Sequence, residues 1–268
     1  MSNTKCTLII GITSGIGSAL SHHLFSIGNN IVGTSRIQKL ESENLIRIFE
    51  LDISSLESIS SFVELFTSEY VWERIVFCPA VMSPIGPFRS VDITQWVSTF
   101  NVNFSNQVYL LHKILPFSHG QFPHVLFFAG GGTNSAPKNY SAYTLSNIAF
   151  IKLVELLDKE IDNITFSILG PGWVNTKIHE QSLAPELSHL PSFKETEKRL
   201  LNSDFVGMEQ VISSIMWIFS QEKAVVGGRN FSAAHDPFDS VEFRNLLSSN
   251  VDLLKLRRHG NHLSQSQS

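Results

Sequence analysis

The sequence predicts an α/β protein: a single domain built on one doubly wound parallel sheet with helices on both faces. Three observations carry that reading. Strand-like and helix-like segments alternate almost throughout the 268 residues, the order that a parallel sheet with crossover helices requires. The runs "RIVFC" (74–78) and "HVLFFA" (124–129) are nearly uninterrupted in apolar residues, as strands covered on both faces are. A glycine-rich turn, "GITSGIG" (11–17), stands between the first strand and the first helix, where such sheets commonly hold a phosphate.

The elements follow in order. "KCTLII" (5–10) is a short apolar run, and "GSALSHHLFSIG" (17–28) is the helix after the turn. "NIVGTS" (30–35) and "LIRIFEL" (45–51) read as strands, and "SLESISSFVELFTSEY" (55–70) as an amphipathic helix. Between the two apolar runs lies one long helix, 92–115, stopped by Pro116. "SAYTLSNIAFIKLVELL" (141–157) is helical, and "NITFSILGPG" (163–172) is a strand ending in a Pro-Gly break. A helix at 208–220 and a last strand, "VVGGRNFSA" (225–233), complete the domain, which spans 1–238. Residues 176–204 are polar, broken by Pro185 and Pro191, and lie beyond a strand's carboxyl end. That position suits a mobile substrate lid. Residues 239–268 are expected to be a partly disordered extension, fraying from "LLKLRRHGNHLSQSQS" (253–268) onward.

Composition narrows the function. With 43% hydrophobic residues the chain has the makings of a folded core. Its formal net charge of −4 leaves no electrostatic footprint for nucleic acid or an anionic membrane. Cys6 and Cys78 sit singly in apolar runs, so they read as buried thiols, with no metal site and a reducing cytoplasm as the expected compartment. No run is long enough to cross a membrane, and the amino-terminal run is too short for a signal peptide.

The turn is the strongest chemical signal. Gly11, Gly15 and Gly17, with Ser14 and Ile16 among them, let the backbone approach a pyrophosphate at a helix N-terminus, where amides are free. The second strand ends "VGTSR", which offers Thr34, Ser35 and Arg36 in place of an acidic residue. A guanidinium there suits a 2′-phosphate, so NADP(H) is expected over NAD(H), with the latter not excluded. Asp52 has two readings: an acceptor for the adenine amino group, or an N-cap for the helix starting near Ser55.

Taken together and in order, these pieces resemble the short-chain dehydrogenase/reductase family over nearly the whole length, which implies a Rossmann-like fold. The matching pieces are "GITSGIG", "LDIS" around Asp52, Asn103 in "NVNFSNQVYLLHKILP", "YTLSN" at the tyrosine motif and "PGWVNT" after the sixth strand. The resemblance implies that Tyr143 exchanges a proton with the substrate while hydride passes to or from the nicotinamide. It implies that Asn103 anchors a water, and that Val174 and Thr176 meet the carboxamide and phosphate side of the cofactor. Three positions depart from the pattern. The usual lysine is Asn147, and the usual serine falls at Ala129 or Gly130. The loop after the fourth strand, usually Asn-Asn-Ala-Gly, reads "CPAV", with Ala80 in it. "GGGTNSAPKNYSAYTLSN", "SPIGPF" and "GGRNFSAAHDPF" resemble a branch found among bacterial polysaccharide and nucleotide-sugar genes, implying a sugar-like substrate.

Tyr143 and Asn147 lie four apart on one helical face. A free tyrosine titrates near pH 10, so making the phenolate at pH 7 costs about 4 kcal/mol. An amide offsets none of that by charge, though it can still hydrogen-bond a ribose hydroxyl. Alcohol oxidation, which needs a base, should suffer most, whereas carbonyl reduction needs the acid that a neutral phenol already is. Losing the serine costs about 10²–10³ in rate unless another donor serves. Thr133, Asn134 and Ser135 are candidates, with Lys138 and His179 as further possible proton or charge donors. Two functions follow: an NADP(H)-dependent reductase of a sugar or polyol-like carbonyl, or a catalytically silent dinucleotide-binding partner subunit. Family members commonly pair through the tyrosine helix and the long helix before it, so the resemblance implies a homodimer or homotetramer.

Overall fold

The computed structural model describes residues 3–37 and 46–258. Among the described residues seven strands form one sheet: β1 (Thr4–Ile10), β2 (Ile31–Ser35), β3 (Arg47–Glu50), β4 (Tyr70–Phe77), β5 (His124–Phe128), β6 (Thr165–Gly170) and β7 (Asn230–Ser232). Their order is β3-β2-β1-β4-β5-β6-β7 and every pairing is parallel. The chain therefore winds outward in both directions from β1 and β4, opening a crevice at their carboxyl ends.

The helices are α1 (Gly15–Ser26), α2 (Leu56–Glu69), α3 (Ile93–Phe100), α4 (Asn106–Ile114), α5 (Ser141–Glu160), α6 (Pro191–Leu201), α7 (Met208–Ser220), α8 (Lys223–Val226) and α9 (Val241–Ser249). Alternation along β1 divides the core. Leu8 and Ile10 join Phe62, Leu110 and Phe150 of α2, α4 and α5, while Ile9 joins Leu20, Ile215 and Leu247 of α1, α7 and α9. Both faces of the sheet are thus covered, which is why its central strands carry so few polar residues.

Four elements differ from the sequence reading. The helix expected to run to Tyr70 ends at Glu69, and Tyr70 already pairs with Thr4, so β4 starts four residues earlier than "RIVFC". The single long helix is interrupted at Asn101–Ser105 by a π turn, a wider turn that lone polar residues in a helix do not advertise. Val225 and Val226, read as strand, close α8 and are buried, and the strand proper is only Asn230–Ser232. The turn between them is tight because Gly227 abuts the Asp158 carboxylate and Gly228 has φ +70. Finally, the end expected to fray from Leu253 is held as far as it is described. The Arg229 guanidinium donates to the carbonyls of Leu247, Asn250 and Leu253, and Arg257 pairs with Glu155 and Asp252. Residues 259–268 lie outside the described residues.

Candidate active site

A cleft of about 1140 Å³ opens along the carboxyl ends of β1, β2, β4, β5 and β6. At one end the chain leaves β1 through Gly11, whose φ of +77 is the left-handed conformation that glycine adopts without penalty. Ser14 caps α1, its hydroxyl accepting from Gly17 N at 3.0 Å. Gly17 itself does not line the cleft. A Cβ there would meet Gly11 O at 2.5 Å and the Ser14 hydroxyl at 2.8 Å, so its part is to let helix and turn close on each other. Gly11, Ser14, Gly15 and Ile16 all border the cleft, and Thr176 covers Gly15, where a Cβ would lie 2.5 Å from Thr176 Cγ2. Such a cradle of bare backbone at a capped helix N-terminus fits a pyrophosphate.

Farther along this end, Thr34 Oγ1 accepts from Gly11 N at 3.1 Å, tying β2 to the turn. Ser35 is buried and Arg36 is exposed, and both border the cleft with Asp52. Asp52 is not the N-cap of α2: that cap is Ser55, which accepts from Ser58 N. Asp52 Oδ1 instead accepts from the backbone and hydroxyl of Ser54 at 2.9 and 2.8 Å. Those bonds, with a smaller contribution from Arg36, hold its carboxyl below the usual carboxylate range.

The other end is built on α5 and the loops after β4, β5 and β6. Tyr143, Asn147, Gly130, Ala80, Asn103 and Val174 all border it. A Cβ on Gly130 would lie 2.6 Å from Tyr143 Cε1 and closer still to the hydroxyl oxygen. The tyrosine therefore fills the space a serine side chain would need at that position. Burial pushes the Tyr143 phenol above its ordinary pKa, and the Asn147 side chain pulls weakly the other way. Asn147 is 7% exposed, and beyond its contact with the Tyr143 hydroxyl its Nδ2 makes no well-formed hydrogen bond among the described residues. Buried amide donors are rarely left so unless a ligand or water completes them.

Thr133, Asn134, Ser135 and Lys138, the expected replacements for the serine, do not border the cleft, and the last three are exposed. Gly132, with φ +121 and packed against Thr144, turns the loop away before they can reach it. Asn103 arrives at the cleft with its side chain already committed. Its Oδ1 accepts from Val81 N at 2.8 Å and its Nδ2 donates to Val81 O at 2.7 Å, clamping the "CPAV" loop. Its own carbonyl accepts from Gln107 Nε2 at 3.1 Å, and the same amide donates to Pro79 O and Val102 O. Gln107, buried in the π-turn region and bordering the cleft, escaped the sequence reading. Its one signal was a polar residue a turn after Asn103 on the same helix face.

The segment expected to be a lid is ordered into two 3-10 turns (Lys177–Leu183 and Pro185–Leu187) and α6. Gln181 Oε1 accepts from Met82 N at 2.9 Å and Ser83 N at 3.3 Å, and Tyr140 Oη donates to Ser182 Oγ at 3.1 Å. Leu187, Leu190 and Ile178 pack with Met82, Ile85, Tyr140 and Tyr143. The segment thus packs apolar side chains over the tyrosine, while Lys177, His179, Glu180 and Gln181 border the cleft as its polar groups.

A family profile described as short chain dehydrogenase matches residues 5–186. The chain belongs to the short-chain dehydrogenase/reductase family. A dehydrogenase/reductase SDR family protein 7-like of Drosophila melanogaster is 24% identical over 229 residues, covering 79% of this chain and 70% of that protein. A D-beta-hydroxybutyrate dehydrogenase of Rhizobium meliloti is 21% identical over 253 residues, 85% of this chain and 96% of its own length. Among solved structures, a short chain dehydrogenase/reductase of Saccharomyces cerevisiae, YIR035C, superimposes with a TM-score of 0.77 at 19% identity, covering 89% of this chain and 99% of that one. The family is one of oxidoreductases that bind a nicotinamide dinucleotide, and its fold is the one described above.

Proposed function

We propose that the protein is an NADP(H)-dependent carbonyl reductase in which Tyr143 gives the proton and Asn147 positions the nicotinamide ribose. One observation carries the reading: Asn147 holds a buried amide without a well-formed hydrogen bond, on a residue bordering the cleft and in contact with a tyrosine kept neutral by burial. A raised phenol pKa suits an acid and disfavours a base, which favours reduction over oxidation. The dinucleotide, when bound, supplies the hydride. The chain's own residues do the rest. The turn Gly11–Gly17 cradles the pyrophosphate, Arg36 faces the 2′-phosphate, and Asp52 accepts at the adenine. Thr176 and Val174 close over the middle, and the roof above Tyr143 excludes water from the proton transfer.

The sugar-like substrate implied by the branch resemblance belongs to the same proposal. Gln181, with Glu180 and Lys177 beside it at the cleft, is the polar group that would meet its hydroxyls. A homodimer or homotetramer in the cytoplasm completes the reading. Ile93 and Val97 on α3, and Leu145 and Leu156 on α5, are about half exposed on elements that pack together, which supports such pairing. The second reading, a silent binding subunit, is favoured by Gly130. No side chain there donates to a carbonyl oxygen, and the tyrosine occupies the space one would need.

Thermal unfolding with NADPH, NADH or no nucleotide, followed by NADPH consumption over a panel of aldoses, ketoses and simple ketones, tests both. A ligand at a hundred times its dissociation constant adds about 2.7 kcal/mol. Stabilisation by NADPH over NADH, with turnover lost in Tyr143→Phe, is the expected result. Stabilisation without turnover on any carbonyl would favour the silent subunit, and no stabilisation at all would sink both.

A further inference from the structure

We infer that His179 is a nicotinamide-contacting residue, its ring nitrogen pairing with the carboxamide of the bound dinucleotide. The inference rests on the cofactor reading above and adds a residue to it.

The argument begins with where the segment 176–179 runs. Thr176 covers Gly15 at the phosphate turn, and Ile178, two residues on, packs in the cluster that holds Tyr143. These few residues therefore span the cleft from the pyrophosphate cradle to the reacting hydroxyl. Whatever lies between those points in a bound dinucleotide is the nicotinamide end. His179 follows directly, its backbone N donating to Thr176 O at 3.2 Å, and it borders the cleft.

Its ring is fixed. Trp173 stacks on it with centroids 3.8 Å apart and planes 19° from parallel, and Trp173 is itself backed by Phe205 and by the Arg199 guanidinium. An imidazole clamped this way cannot swing out to satisfy its buried nitrogen. Its Nδ1 is buried and has no hydrogen-bond partner among the described residues, a situation that costs stability unless a ligand supplies the partner. Burial also holds the ring neutral, opposed by a contact with the Val174 backbone that falls short of a well-formed hydrogen bond. A neutral imidazole nitrogen either donates or accepts, depending on tautomer, and a primary carboxamide offers both an N–H donor and a carbonyl acceptor. The match needs no charge on the ring, although Lys177 and Glu180 also border the cleft beside Ile178, Val174 and Leu183.

The test compares two ligands that differ only in the nicotinamide. Dissociation constants for NADP⁺ and for 2′-phospho-ADP-ribose, measured by isothermal titration calorimetry, are compared in the wild-type chain, His179→Ala and His179→Phe. The phenylalanine variant keeps an aromatic ring on Trp173 and removes both nitrogens, so it separates the hydrogen bond from the stack. Both variants should bind NADP⁺ roughly tenfold or more weakly, the loss of one buried partner, while 2′-phospho-ADP-ribose binds each as it binds wild type. Equal weakening of both ligands, loss confined to His179→Ala, or no weakening in either variant would overturn the assignment. NAD⁺ and ADP-ribose form a matched second pair, in case the adenosine end prefers the unphosphorylated cofactor. A wild-type chain that binds none of the four defeats the cofactor reading itself and takes this assignment with it.

Discussion

At the adenosine end of the cleft, backbone does most of the binding; at the nicotinamide end, side chains must do the chemistry. The two ends have fared differently in this chain. The turn around Gly11–Gly17 keeps every position at which a side chain would obstruct, because its constraint is steric and admits few alternatives. At Tyr143 the neighbours have changed together. Ala129 and Gly130, the two positions where the resemblance puts a serine, have no hydroxyl, Asn147 has no charge, and the Tyr143 phenol fills the space a side chain on Gly130 would need. A steric requirement on backbone is all or nothing, whereas a catalytic set can be thinned and repacked around one retained acid.

The strongest way to break that contrast is at the turn. Gly17→Val places atoms against Gly11 O, a backbone atom that cannot step aside, and should abolish nucleotide stabilisation in thermal unfolding. It should also destabilise the fold by about 1–3 kcal/mol in urea melts. An unchanged melting curve with full NADPH binding would show that the turn is looser than its geometry implies.

Next comes the attempt to rebuild the reacting end. If serine had simply decayed, Gly130→Ser should raise carbonyl reduction. The packing of Tyr143 predicts the reverse: a loss of about 1–3 kcal/mol in stability from overpacking and lower turnover with NADPH, measured at 340 nm. A gain in kcat would show that the phenol yields easily and that the two changes are independent.

A comparable effect is expected away from the cleft. His124 is buried with Nε2 2.9 Å from Ser167 Oγ. Ser167 donates to Val226 O at 2.9 Å, so the imidazole must be the donor to Ser167 and its other nitrogen is unprotonated. Burial, with Arg74 and Lys223 adding repulsion, pushes its pKa down to about 3. The unfolded chain takes up a proton near pH 6.5 and the folded one resists it until about 3, so stability should fall as pH drops through that window. Between pH 6.5 and 4.5 the loss from this one group should reach about 2 kcal/mol. His179, also held neutral by burial, contributes in the same direction. His124→Gln should flatten urea stability across pH 6.5–4.5, and an unchanged slope would mean that other groups set it.

The smallest and sharpest probe is Asn147→Lys. An ammonium beside Tyr143 favours the phenolate, so the pH profile for alcohol oxidation should move to lower pH while reduction at neutral pH changes little. No movement of the profile would mean that position 147 does not sense the phenol.

How much of this was legible beforehand follows from what kind of constraint each part obeys. The sheet and its winding could be read because apolar runs such as 74–78 and 124–129 must be buried on both faces. The turn could be read because three closely spaced glycines between strand and helix have few other uses. Asp52 left two readings open, and only the placement of Ser55 as the cap of α2 resolved them. The π turn, Gln107's three acceptors and the departure of Thr133–Ser135 from the cleft were invisible. Each depends on a backbone direction that local sequence does not encode, Gly132 at φ +121 among them. By itself, then, the sequence determined the fold, the cofactor-side cradle and which catalytic types are missing, since those rest on residue identity and spacing. Only the tertiary structure decided that Tyr143 fills the space a side chain on Gly130 would need, that the segment from Lys177 to Leu201 roofs it, and that Asn147 and His179 are left with buried nitrogens short of a well-formed hydrogen bond. Those are matters of which surfaces meet, and they are set by packing between elements far apart in the chain.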